Sequence, residues 1–124
     1  MKLRLLTGEY AVCRLAPVGP VPAWAESAEF SSVTRTAEEL SVLCPAHHVP
    51  AGVRHQSGWR LFKFAGPLAF TETGILAAVL APLAAAKVSV LAQATFDTDY
   101  LLVKATDLDR TVAALTAAGH SVDT

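Results

Sequence analysis

The first half of the chain shows the hydrophobic pattern of β-strands. Polar and apolar residues alternate at the N terminus, and short apolar or β-branched runs follow at intervals. Alternation and short β-branched runs are typical of strands. The pattern therefore predicts five strands, of which the third and fourth form a pair: Lys2–Leu5, Ala11–Leu15, Ser32–Thr36, Leu40–Cys44 and Trp59–Ala65.

Prolines and loops separate these strands. Three prolines fall between positions 17 and 22, and proline inside a helix removes a hydrogen bond and clashes with the preceding turn. We therefore expect no long helix in this region and about two helical turns over Ala23–Glu29. Pro45–Gly58 is predicted to be a loop that holds at most one helical turn.

A helical period begins in the second half. Starting at Ile75, apolar residues recur at i, i+1, i+4, i+5 and i+8, which predicts an amphipathic helix over Glu72–Lys87. A threonine at 71 or 73 is the predicted N-cap, and Glu72 suits the positive end of the helix dipole. Pro82 is expected to bend this helix.

Two further strands and a second helix follow. Strands are predicted over Val88–Ala94 and Tyr100–Val103, joined by the segment Thr95–Asp99. Thr106–Asp109 resembles a capping box with Asp in place of the usual Glu, which predicts the start of a helix that Gly119 ends.

The chain also contains an internal repeat. Gly8–Pro17 matches Gly58–Pro67, and Thr34–Val42 matches Thr95–Val103. Few positions are identical, so chance similarity is the alternative. The second copy has the order strand, helix, strand, strand, helix, which is most of the ferredoxin-like βαββαβ pattern. We predict an α+β chain of two tandem ferredoxin-like domains, 1–57 and 58–124, the first with a shortened first helix.

Composition and charge exclude several classes of protein. Hydrophobic residues make up 52% of the 124 residues, and ten Lys and Arg stand against eleven Asp and Glu. A nucleic-acid binder normally carries a basic face, so we expect no nucleic-acid partner. The longest run without a polar side chain, Gly74–Ala86, is shorter than the roughly 20 residues of a membrane span. No signal-like apolar stretch precedes Glu9. We expect a soluble, cytoplasmic protein with no membrane association.

Cysteine and histidine are the only candidates for covalent or metal chemistry. Cys13 and Cys44 lie in apolar, strand-like runs, which favours buried free thiols over a disulfide. Cys44, His47 and His48 could begin a zinc site, but zinc usually takes four ligands and the next is His55. The same three residues could form a nucleophile–base pair, with no third group to orient it. We expect no metal, no cofactor and no enzyme.

Several motifs together resemble the ACT domain. They cover most of the chain, and the most specific is the stretch from Thr95: Gly66–Leu68, Thr73–Leu76, Ala81–Ala84, Val88–Val90, Thr95–Val103 and Phe30–Leu40. The most similar branch is that of the small tandem-ACT proteins related to the regulatory tails of aspartate kinases and to the CASTOR arginine sensors.

This resemblance implies a βαββαβ fold, a homodimer with domains paired side by side, and a free L-amino acid bound at the pairing interface. The implied ligand-binding residues come from the loop and helix start, from the turn between two strands and from the partner subunit. They are Phe70, Thr71, Glu72, Thr73, Gly74 and Ile75, then Thr95, Phe96, Asp97, Thr98 and Asp99, and finally Ser89 and Val90 of the partner subunit.

The chemistry of these residues suits an amino acid. A helix start donates backbone N–H groups to a carboxylate, and Gly74 permits close approach. The acidic side chains and strand carbonyls can accept from an ammonium group, while the aromatic residues can wall an apolar pocket. The acidic rim alternatively favours a basic ligand such as Arg or Lys.

Two functions are consistent with this pattern. The first is an amino-acid-binding regulatory protein that acts on a separate protein partner, since the two copies leave no room for a catalytic domain. The second is a structural protein-interaction module whose pocket is vestigial.

Overall fold

The computed structural model describes all 124 residues and contains eight strands and two α-helices. The strands are β1 (Lys2–Leu5), β2 (Tyr10–Leu15), β3 (Ser32–Arg35), β4 (Leu40–Pro45), β5 (Arg54–Phe64), β6 (Val90–Ala94), β7 (Asp99–Lys104) and β8 (Ser121–Asp123). The helices are α1 (Ile75–Ala85) and α2 (Leu108–Ala117). The predicted α+β class is confirmed. Neither helix has the length and apolar character needed to cross a bilayer.

The chain forms two compact units, one of residues 8–59 and the other of residues 1–7 with 60–124. In the first unit, strands pair antiparallel in the order β3-β4-β2-β5. Its core contains the side chains of alternating strand residues together with one from the connecting segment: Ala11, Cys13, Ala25, Leu40, Val42 and Cys44.

The first unit departs from prediction in two places. The two helical turns expected over Ala23–Glu29 are wrong, because only Ala23–Ala25 form a 3₁₀ turn and Glu26 is already extended. The loop expected over Pro45–Gly58 is wrong in its second part, since β5 begins at Arg54 and pairs with β2. The polar residues at positions 54–57 are exposed, so this part of the strand carries no hydrophobic alternation.

The second unit has the βαββαβ order of the ferredoxin-like fold in β5, α1, β6, β7, α2 and β8, which confirms the ferredoxin-like fold predicted for the second copy. The first unit contains strands and two 3₁₀ turns but no α-helix. Its sheet order is β6-β7-β5-β1-β8. The chain's first strand lies between β5 and β8, antiparallel to β5 and parallel to β8. Residues 1–7 therefore belong to this unit, which differs from the ranges 1–57 and 58–124 expected from the repeat.

Side chains from one face of this sheet pack against both helices. Phe62 and Phe64 alternate along β5, as Leu101 and Val103 do along β7, and all four are fully buried. They contact a cluster contributed by β1, the helices and the segment after α1: Leu3, Val79, Leu83, Val88 and Leu115. Burial of this apolar surface is the main stabilising term for the unit.

Both helix starts differ from the predicted caps. Gly74 is the N-cap of α1, and neither Thr71 nor Thr73 caps it. The predicted capping box of α2 is also wrong, because no side chain caps that helix. Instead Asp107 forms an ion pair with Arg110 at 2.6 Å and accepts a 2.8 Å hydrogen bond at its carbonyl from the Thr111 hydroxyl.

Pro82 lies inside α1 and lacks the N–H that would bond the Ala78 carbonyl. His120 supplies a replacement, since its Nε2 lies 3.0 Å from that carbonyl oxygen. The N-terminal ammonium lies 3.1 Å from Nδ1 of the same ring and donates to it. This assigns the proton to Nε2, which donates to Ala78.

Candidate functional site

A cavity of about 230 Å³ opens at the N-terminal end of α1, within the second unit. It is bounded by the loop before the helix, by the first turn of the helix and by the turn between β6 and β7. The lining residues are Leu68, Ala69, Phe70, Glu72, Gly74, Ile75, Leu76, Thr95, Phe96, Asp97, Thr98 and Asp99.

The turn between β6 and β7 is held by its own threonines. The backbone N–H of Thr95 donates to the Thr98 carbonyl at 2.9 Å, and the Thr95 hydroxyl donates to the same oxygen at 3.0 Å. The hydroxyl of buried Thr98 donates to the Phe64 carbonyl at 3.0 Å. These bonds fix the turn against the end of β5.

The loop before α1 lies close against this turn. The Leu68 N–H donates to the Asp97 carbonyl at 2.7 Å. A Cβ at Gly66 would lie 3.0 Å from the Thr98 Cβ and 3.3 Å from the Asp97 carbonyl oxygen. The two walls of the cavity therefore approach each other at a position where only glycine fits without displacement.

The start of α1 presents backbone donors at the cavity. Gly74 has a φ of 77°, a left-handed conformation that suits glycine. The first intrahelical bond runs from the Ala78 N–H to the Gly74 carbonyl at 2.9 Å. The N–H groups of residues 75–77 consequently have no acceptor within the helix, and no side chain caps them. This end of the helix carries a partial positive charge.

The side chains that line the cavity carry only negative charge. Three carboxylates, those of Glu72, Asp97 and Asp99, line it, with no Lys, Arg or His among the lining residues. One carboxylate oxygen of Glu72 accepts a 3.1 Å hydrogen bond from the Ala69 N–H. Part of the hydrogen-bonding capacity of this carboxylate is therefore used within the loop. Asp99 is half-buried and Asp97 is exposed. The site thus combines backbone donors with carboxylate acceptors.

Two aromatic rings stand at the opening. Phe70 comes from the loop and Phe96 from the turn, and their ring centroids lie 5.0 Å apart at an interplanar angle of 87°. Phe70 is 76% exposed and Phe96 80% exposed. This is apolar surface at the rim of the cavity that the chain itself leaves uncovered.

The structure brings nine of the thirteen predicted ligand-binding residues together around this cavity. Thr71 and Thr73 do not line it and are exposed. Ser89 and Val90, expected to act from a partner subunit, lie elsewhere, with Ser89 exposed just before β6 and Val90 packed against its own core. The lining residues absent from the prediction are Leu68, Ala69 and Leu76. Leu76 belongs to the apolar period that begins at Ile75. That period could have indicated that Leu76 lies beside Ile75 in the first turn of α1.

The cysteine and histidine cluster lies in the first unit. Both thiols are free and buried, which confirms the predicted free state. Burial raises the pKa of the Cys44 thiol from 9.0 to about 11, and Cys13 beside it adds to the rise. His48 is engaged with the Trp24 carbonyl at 3.2 Å. A neutral, buried thiol is a poor nucleophile. The structure contains no cluster of three or more His, Cys, Asp or Glu residues able to hold a metal ion.

Comparison with protein families gives a direct assignment. A family model described as the ACT domain matches residues 54–117, and a second model, described as an N-terminal domain, matches residues 8–52. The chain belongs to the ACT-domain family. The cavity lies wholly within the ACT match. Comparison with curated proteins finds no match.

Several solved structures are similar in fold. A protein from Agobacterium tumefaciens is 45% identical, with a TM-score of 0.92, over 98% of this chain and 90% of that one. A protein of unknown function from Vibrio cholerae is 20% identical, with a TM-score of 0.75, over 94% of this chain and 88% of that one. The ligand-free regulatory subunit of aspartate kinase from Thermus thermophilus is 6% identical, with a TM-score of 0.62, over 89% of this chain and 91% of that one.

The two more distant similarities show the fold alone. Membership of the ACT family supports a regulatory, ligand-binding role.

Proposed function

We propose that this ACT protein binds a free L-amino acid in the cavity at the start of α1 and acts as a non-catalytic regulatory sensor. One observation carries the proposal: the uncapped start of α1 and three carboxylate residues line the same small cavity. An α-amino acid presents the complementary pair, a carboxylate and an ammonium group about 2.5 Å apart by covalent geometry.

The two ends of the ligand would take different partners. Its carboxylate is served by the N–H groups at the start of α1, where the helix dipole favours an anion. Gly74 has no side chain to obstruct that approach. The ammonium group needs acceptors, and half-buried Asp99 is better placed than Asp97 because less solvent screens it. Every α-amino acid carries these two groups. The residues that line the rest of the cavity would therefore determine which ligand side chain is preferred.

A second subunit would complete the site. The exposed aromatic rim is the kind of surface that a dimer interface buries. Phe70 and Phe96 belong to the rim itself, so a subunit seated on them would close the cavity. The exposed Ser89 of the partner subunit is available for this contact, whereas Val90 faces its own core. A symmetric homodimer would carry two such sites and signal to a separate regulated protein.

Thermal unfolding in the presence of each of the twenty amino acids tests the proposal. A ligand at one hundred times its dissociation constant adds about 2.7 kcal/mol of stability. We expect at least one amino acid to raise the unfolding midpoint at millimolar concentration. Asp99→Asn should remove most of that rise, while Glu26→Gln, an exposed residue of the other unit, should keep it.

The opposite results decide against it. If no amino acid shifts the midpoint, the cavity is not an amino-acid site and the chain is better described as an interaction module. If Asp99→Asn responds like the wild type, the ammonium group is not held by that carboxylate.

A further inference from the structure

A second cluster of charge lies on the sheet of the 1–7 and 60–124 unit. Lys2 and Arg4 are on β1, and Lys63 is on β5 directly opposite Arg4 in the antiparallel register. They alternate with Leu3 and Phe64, which are fully buried against the helices. The three cationic side chains therefore share the face of the sheet turned away from α1 and α2.

These cations have no partner in the chain. None of Lys2, Arg4 and Lys63 takes part in an ion pair or a side-chain hydrogen bond, and the one ion pair of the structure joins Arg110 to Asp107. Residues directly opposite across an antiparallel pair have Cβ atoms about 4.5–5.5 Å apart, and like charges there are destabilising. The Arg4–Lys63 juxtaposition thus lowers the stability of the chain, and Asp123, opposite Arg4 on β8, offsets part of this repulsion.

The cluster surrounds a concavity of about 280 Å³. Its other polar side chain is that of Asp123, which lies opposite Arg4 on β8. Three cations and one carboxylate give a local formal charge of +2, whereas the whole chain carries −1. The positive charge is therefore concentrated at this concave surface instead of being spread over the protein.

We propose that this concavity is a binding site for a small phosphate-bearing anion. The guanidinium of Arg4 offers a planar set of donors that matches phosphate oxygens, and Lys2 on the same strand and Lys63 on β5 add point charges. A dianion balances the local charge of +2. The concave shape favours a compact ligand over an extended acidic protein segment. The site shares no charged residue with the amino-acid cavity and does not depend on that function.

Calorimetric titration of the full chain at low ionic strength tests the assignment. The probes are inorganic phosphate and pyrophosphate, each compared with sodium chloride of equal ionic strength. We expect pyrophosphate to bind and chloride to give no matching signal. Arg4→Gln and Lys63→Gln should each weaken binding about tenfold, the loss of one charge-assisted contact. Lys87→Gln, an exposed lysine after α1, should bind like the wild type.

Thermal unfolding without any added anion provides the second test. Lys63→Gln should unfold at a higher temperature than the wild type at low salt, because the substitution removes the repulsion from Arg4. The proposal is overturned if pyrophosphate and chloride act alike, if the two variants bind as the wild type does, or if Lys63→Gln lowers the midpoint. Binding of a glutamate-rich peptide in place of pyrophosphate would also overturn it, in favour of a protein-docking surface.

Discussion

The Thr98 hydroxyl links the site turn to the core sheet, and its removal gives a direct test of how the cavity is held. Thr98 is 5% exposed, and its hydroxyl donates to the Phe64 carbonyl at 3.0 Å. Thr98→Val keeps the shape of the side chain but replaces this donor with a methyl group. A buried carbonyl left without its donor costs about 1–3 kcal/mol.

The matched control is Thr98→Ser, which keeps the hydroxyl and loses one methyl group, at a cost of about 0.8 kcal/mol. For a chain of this size, 1 kcal/mol lowers the unfolding midpoint by about 4 °C. We therefore expect Thr98→Val to unfold about 4–12 °C below the wild type and Thr98→Ser about 3 °C below it. Urea unfolding with unchanged slope measures the same difference as a free energy.

A Thr98→Val protein as stable as the wild type would refute the reasoning, because the hydroxyl would then contribute nothing to holding the turn. A larger loss in Thr98→Ser than in Thr98→Val would also refute it. Packing of the methyl group, and not the hydrogen bond to Phe64, would then be the dominant contact.

Three further predictions concern the helices and the thiols. Gly74→Ala should lower the free energy of unfolding by about 1 kcal/mol, because a left-handed φ penalises a Cβ even where space is open, and Gly74→Asn should cost less. His120→Ala should lower it by about 0.5–1.5 kcal/mol, since the Ala78 carbonyl loses its donor, and equal stability would show that water replaces the ring. Because burial raises the pKa of the Cys44 thiol to about 11, its stabilising contribution is complete below pH 9 and is lost as the pH rises through 11. Stability measured from pH 8 to 11 should therefore fall less steeply in Cys44→Ala.

Helices and strands with a strong hydrophobic pattern could be predicted from the sequence. The period that begins at Ile75 predicts α1, because it marks the helix face that packs against the core. The continuous apolar run Tyr100–Val103 predicts a buried strand, and Leu101, Leu102 and Val103 are fully buried in β7. The polar start of β5 was not predictable in this way, since residues 54–57 are exposed and their strand is held by pairing with β2. Pairing partners distant in sequence leave no local pattern.

The position of β1 and the grouping of the site residues also depend on contacts between residues that are distant in sequence. Nothing local in Lys2–Leu5 indicates that this strand inserts between β5 and β8. The site residues were found from motifs that resemble a family, and the structure groups most of them around one cavity. The N-cap predicted for α1 was wrong because Thr71 and Thr73 suit an N-cap by residue type, whereas the chain turns at Gly74 with a left-handed φ.

The central claim is that an amino acid binds where α1 begins. Two-dimensional NMR of the ¹⁵N-labelled chain, titrated with the amino acid that gives the largest thermal shift, tests it residue by residue. We expect the amide resonances of residues 74–77 and 95–99 to move together and to saturate at one ligand per chain. Resonances that stay fixed there, or that move only within residues 8–59, would contradict it.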